Sequence, residues 1–102
     1  MTAEKVRGGK VERLHLRLYT GTRNFEYKAS LQQLHGMLET VESSYELEVL
    51  DGTEFRDLAM QDEALFTPVL VRVSPLPVVR LLMPQPNSHF LKRAILPTDA
   101  EP

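Results

Sequence analysis

The residues of this chain with chemical potential are few and widely spaced. His15, His35 and His89 fall in three separate segments, with none of the HxH, HxxxH or nearby-carboxylate spacings that assemble a metal site. Surface or rim positions are expected for them, and neither a metal nor a cofactor is expected. The acids Glu39, Glu42, Glu46, Glu48, Asp51 and Glu54 are spread along the middle of the chain and read as a solvated acidic face, not a catalytic pair. There is no cysteine, which removes disulfides, thiolate zinc sites and thiol redox chemistry together. Arg13, Arg17, Arg72 and Arg80 stand out because each lies in a stretch otherwise rich in apolar residues. A guanidinium there either pairs with a carboxylate at an interface or snorkels past a sheet edge.

The elements that must position these side chains follow from hydrophobic period and punctuation. Val11 to Thr20 alternates, with Leu14, Leu16 and Leu18 opposite His15, Arg17 and Tyr19, which predicts a strand. After the turn-like Gly21 to Asn24, Leu31, Leu34, Leu38 and Val41 recur at helical spacing, predicting a helix from near Glu26 to Glu42. Tyr45 to Asp51 alternates again as a second strand. Thr53 suits an N-cap for a short helix carrying Phe55, Leu58, Ala59 and Ala64. Pro68, Pro75 and Pro77 interrupt one long apolar run, and prolines belong at strand starts and turns. They delimit a hairpin: a strand from Pro68 covered on both faces, a turn at Ser74 to Pro77, and a strand from Val78 to Met83. Asn87 or Ser88 then caps a last helix with Phe90, Leu91, Ala94 and Ile95, ended by Pro97. Met60, Phe66 and Met83 are expected in core or boundary packing.

This order, β-α-β-α-β-β-α with a mixed four-stranded sheet, predicts an α/β thioredoxin-like single domain over residues 11–96. Residues 1–10 and 97–102 have the composition of flexible tails. In that fold a cis-proline opens the third strand beside the ligand surface, the place held by Thr67-Pro68. The reactive dithiol of thioredoxin-like enzymes would fall between Gly21 and Glu26, where this chain has no thiol. A non-enzymatic role is therefore expected. The remaining enzymatic alternative is a cysteine-free transferase in which Tyr19 or Tyr27 polarises a bound thiol. A net charge of −2 and a pI of about 5.9 give no support for a nucleic-acid partner. No apolar run approaches the roughly 20 residues that span a bilayer, and the polar N-terminus is unlike a signal peptide. A cytoplasmic location is the default expectation.

The segment YELEVLD (Tyr45 to Asp51), followed after a helix by LFTPVLVRVSPLPVVRLL (Leu65 to Leu82), resembles the KaiB family of circadian clock proteins. Members of that family carry a Y-x-L-x-V-x-D strand, then A-T-P-T-L and P-[LP]-P-V-R-R-I-I. At the front, LRLYTGTRN (Leu16 to Asn24) is similar to the family's L-K-L-Y-V-A-G-x-T-P-N, one residue shorter and with Arg23 in place of proline. The resemblance implies a clock or signalling regulator that binds a KaiC-type ring ATPase, possesses no activity of its own, and in some members exchanges between an oligomeric ground state and a thioredoxin-like state. A homo-oligomer is among its implications. Carried over position by position, the partner contacts are Arg72 and Arg80, with Thr67 and Pro68 shaping the surface; Val79 replaces the first of the family's paired arginines. Past the hairpin, MPQPNSHFLKR departs from the family's I-G-D-L-S-D-R-E. Pro84 and Pro86 there tolerate an alternative strand or longer helix poorly, which favours a chain that stays thioredoxin-like. The KaiB-like sensory domain of SasA-type histidine kinases is similar in that respect and implies the alternative of a fixed adapter for another signalling partner.

Overall fold

The structure, a computed structural model, describes residues 13–21, 25–41 and 44–97; the expected tails and residues 11–12 of the first strand lie outside them. The elements are β1 (Leu14–Thr20), α1 (Phe25–Leu38), β2 (Tyr45–Asp51), α2 (Arg56–Gln61), β3 (Val69–Ser74), β4 (Val79–Leu82) and α3 (Ser88–Ile95). They form a compact α/β domain with a mixed four-stranded sheet in the order β2-β1-β3-β4. β1 runs parallel to β2, with His15 opposite Glu46, Arg17 opposite Glu48 and Tyr19 opposite Leu50. β3 is antiparallel to both β1 and β4. Between His15 and Leu16 the register with β3 shifts, so that Val73 is one residue too many, a bulge that re-aims the end of the strand.

Alternation decides what each face buries. Leu14, Leu16 and Leu18 of β1 and Leu70 of β3 point to one side, the inner face, where Leu34, Met37 and Leu38 of α1, Leu91 and Ile95 of α3, and Met83 close over them. Each such fully buried leucine contributes about 1.5–3 kcal/mol relative to exposure. On the outer face Tyr19, Val69 and Val71 pack with Ala59, flanked by Leu50, Leu58, Ala64 and Val73. β3 is thus covered on both sides, as its run, apolar on both faces apart from Arg72, predicts. Among the described residues no helix is long and apolar enough to cross a membrane.

Several boundaries differ from the sequence expectation for local reasons. α1 ends at Leu38, four residues short of the expected Glu42; Thr40 turns the chain by donating its hydroxyl to the Met37 carbonyl at 2.7 Å. Thr53 is not the N-cap of α2. Its amide and hydroxyl both donate to Asp51 Oδ1, at 2.8 and 2.7 Å, so Asp51 organises a turn and the helix waits until Arg56. Phe55, Phe90, Met60 and Phe66 are exposed and so are not the packing residues their types suggest, whereas Met83 is buried. Asn87 caps α3 as expected, its Oδ1 accepting from Phe90 N at 2.8 Å.

Candidate functional site

Three chain segments converge where the parallel strands end. Thr67 precedes β3, and its side chain lies beside Gly21 after β1 and Gly52 after β2: a Cβ at Gly21 would come within 2.7 Å of Thr67 Oγ1. Gly52 N in turn donates to the Thr20 carbonyl at 2.7 Å. The Thr67-Pro68 peptide is cis, as are those preceding Pro75, Pro77 and Pro84. Pro68 is buried and Thr67 exposed; the Pro68 carbonyl accepts from Met83 N at 2.9 Å, tying this corner to the end of the hairpin. Leu65 and Phe66, immediately before it, are 77% and 69% exposed, and Leu82, paired with Val69 at the same end of the sheet, is 58% exposed. Three large apolar side chains therefore stand in solvent around one turn.

Beside this corner the outer face carries a charge network assembled by strand register. His15 Nε2 donates to Glu48 Oε1 at 2.9 Å and Arg17 Nε donates to the same oxygen at 2.9 Å. Arg17 then reaches across to Asp62 Oδ2 at 2.8 Å, which also accepts the Tyr19 hydroxyl at 2.5 Å. Burial alone would push the Glu48 carboxyl upward, but the hydrogen bonds from His15 and Arg17 and the Arg17 charge hold it below the ordinary carboxylate value. For Arg17, burial opposes the charge and the two carboxylates outweigh it, raising its pKa. Burial first, then Asp62, raises the Tyr19 hydroxyl well above its ordinary range. Tyr19 has no exposed surface and its proton is committed to Asp62, so it is not placed to polarise a bound thiol.

Asp62 is itself held by the way α2 ends. Glu63 sits at φ 57°, Glu63 N donates to Met60 O and Ala64 N to Ala59 O, the paired bonds of a Schellman turn with glutamate where glycine is usual. Arg80 on β4 closes the arrangement, donating Nε to the Asp62 carbonyl at 2.7 Å and pairing with Glu63 at 3.5 Å.

The four arginines thus separate. Arg13, Arg17 and Arg80 each pair with a carboxylate of their own chain, Arg13 with Glu46 at 3.6 Å. Of these Arg80 remains exposed on the same sheet end as Leu82. Arg72 is 4% exposed and lies on the inner face opposite Leu16, donating to the carbonyls of Ile95 at 2.7 Å and Pro77 at 2.9 Å. An approaching partner would meet those covering segments and not the Arg72 charge, so Arg72 is corrected from surface contact to internal clamp. Regular alternation from Leu70 puts Arg72 on the inner face opposite Leu16; what the linear sequence does not display is that α3 and the Pro77 turn cover that face there.

Of the histidines, His35 and His89 are exposed and His15 is half-buried. Pairing across β1 and β2 brings potential ligand atoms of His15, Glu46 and Glu48 within 4.8 Å of one another, a grouping that linear spacing does not display. Arg13 and Arg17 already pair with the two carboxylates, so Glu48, within the network, and Glu46, paired with Arg13 beside it, are half-buried and not part of a solvated face. No protein-family model matches the chain, and no curated protein matches it.

Proposed function

We propose that this protein is a thioredoxin-like, KaiB-like regulatory module that binds a KaiC-type ring ATPase and carries out no chemistry itself. The observation that carries this reading is the cluster of exposed Leu65, Phe66 and Leu82 around the Thr67-Pro68 turn with Arg80 beside it; exposed apolar groups next to an oriented charge suit a protein interface. The order β2-β1-β3-β4 and the resemblance of Tyr45 to Leu82 to the KaiB family support it. So does the absence of cysteine from the Gly21 corner.

A fixed fold is favoured over an exchanging one. The Pro84 to Pro86 segment is pinned to α1 by a reciprocal amide pair, Gln33 Nε2 to Gln85 O at 2.8 Å and Gln85 N to Gln33 Oε1 at 2.9 Å. A fixed adapter serving a histidine kinase or another clock component would use the same face. Size-exclusion chromatography with light scattering, on the protein alone and mixed with a KaiC-type ATPase and ATP, tests the reading. Co-elution with the ring, lost in Phe66→Ser and Arg80→Glu, is the expected result. Failure to associate while the kinase sensory partner is captured would transfer the face to the adapter.

A further inference from the structure

We propose that the cleft between the β3–β4 loop and α3 is a binding site for a small organic carboxylate, with Arg72 at its buried end and Arg93 at its mouth. The cleft is about 300 Å³ and is walled by Leu76, Pro77, Ala94, Leu96 and Pro97 between the two arginines. That volume, with aliphatic side chains and polar groups sharing the lining, suits a small ligand that has both an apolar and a charged part.

Two independent features point to an anion. Among the described residues Arg72 is a buried cation facing no carboxylate: two of its NH groups meet the Ile95 and Pro77 carbonyls and its Nε has no partner there. Carbonyl dipoles offset a buried charge only in part, and a buried ion without a counter-ion is costly. Burial accordingly lowers the Arg72 pKa. The second feature is charge placement along α3. Its sequence SHFLKRAI contains no acid, none of the ion pairs among the described residues involves Arg72, Lys92 or Arg93, and a neighbouring cleft of about 410 Å³ shares Arg93, Leu96 and Pro97 while adding His89 and Lys92. Positive charge therefore rims a hollow in which aliphatic side chains and polar groups share the lining about equally. Inorganic phosphate would leave the walls of Leu76, Ala94 and Leu96 unused, whereas a carboxylate on an apolar body uses both parts. The inference does not depend on the KaiB-like reading, since the cleft lies on the inner-face side, away from Arg80 and the Thr67 corner.

Titration of the ¹⁵N-labelled protein with octanoate, acetate and inorganic phosphate tests it. Octanoate is expected to give saturable shifts at the amides of Arg72, Leu76, Ala94 and Leu96, with acetate and phosphate at least about tenfold weaker. Arg93→Gln, at an exposed position and with retention of the fold checked by circular dichroism, should weaken octanoate about tenfold, as loss of one charge-assisted hydrogen bond implies. No shifts at these amides at millimolar octanoate, equal binding by Arg93→Gln, or phosphate binding more tightly than octanoate would each overturn the proposal.

Discussion

The two faces of the sheet are built on opposite principles. The inner face is a leucine layer, with Leu14, Leu16, Leu18 and Leu70 closed by α1 and α3, and its one charged member among the described residues, Arg72, is confined to the hairpin end. The outer face has a smaller apolar patch under a short α2 and devotes the rest to His15, Arg17, Tyr19, Glu48 and Asp62 joined by hydrogen bonds. Burial is non-directional and tolerates many arrangements, whereas the network has its energy only in one geometry. The inner face therefore supplies most of the stability, and the outer face fixes where α2, Asp62 and the Thr67 corner sit.

The largest effect should come from the inner face. Leu16→Ala removes a fully buried side chain from the centre of the layer and is expected to lower unfolding free energy by about 2–5 kcal/mol, measured by urea denaturation. A loss below the corresponding outer-face effect would reverse the assignment of roles. Arg17→Met comes next. It leaves Asp62 and Glu48 partly buried without their shared cation, and a loss of about 1–3 kcal/mol is expected. Because Asp62 caps α2, that variant should also loosen α2 amides in hydrogen exchange, which Leu16→Ala should not do selectively.

These two faces were unequally legible in the sequence. The inner face is local: Leu14, Leu16 and Leu18 at period two and Leu31, Leu34 and Leu38 at helical spacing each identify an element without reference to any other. β2 was bounded correctly at Tyr45–Asp51 for the same reason, and Asn87 announced its own helix. The network is not local. His15 meets Glu48, and Arg17 meets Asp62, across more than thirty positions of sequence, and nothing in the spacing of either residue indicates its partner. The same holds for Arg72, whose partner carbonyl at Ile95 belongs to α3, and for Thr67, whose proximity to Gly21 is a product of sheet order. The Thr67-Pro68 corner was identifiable because proline marks a strand start by its own chemistry; the exposed Leu65 and Phe66 beside it were not, since their types suggest burial.

The outer network also predicts opposite behaviour at the two ends of the pH range. Glu48 is held below its ordinary value in the folded chain, so the unfolded chain takes up its proton first as pH falls. Its contribution is complete above the ordinary carboxylate range and is lost as pH drops toward the folded value. Tyr19 is raised, so above about pH 10 the unfolded chain releases a proton that the folded chain retains. Stability is then full below that pH and declines as pH rises through the window. Tyr19→Phe should abolish the alkaline decline while leaving the acid limb unchanged, and should remove from the tyrosinate absorbance titration an ionisation lying above the ordinary tyrosine range. An alkaline decline of the same size in Tyr19→Phe would detach it from the network.

The smallest effect, and the one of opposite sign, concerns how the network is mounted. Glu63 occupies a left-handed backbone position, φ 57°, at the end of α2, where an L side chain meets a carbonyl oxygen and glycine does not. Its carboxylate is mostly exposed and only 3.5 Å from Arg80, a surface pair contributing little. Glu63→Gly is therefore expected to raise stability by about 0.5–1 kcal/mol in urea denaturation while releasing Arg80 from one of its two restraints. The remaining bond from Arg80 Nε to the Asp62 carbonyl should keep the guanidinium on the outer face, so affinity for a partner held through Arg80 should change little in the same variant. A stability gain accompanied by lost binding would show that the glutamate contributes to the interface itself, and that the strained position is retained for contact and not for the geometry of Asp62.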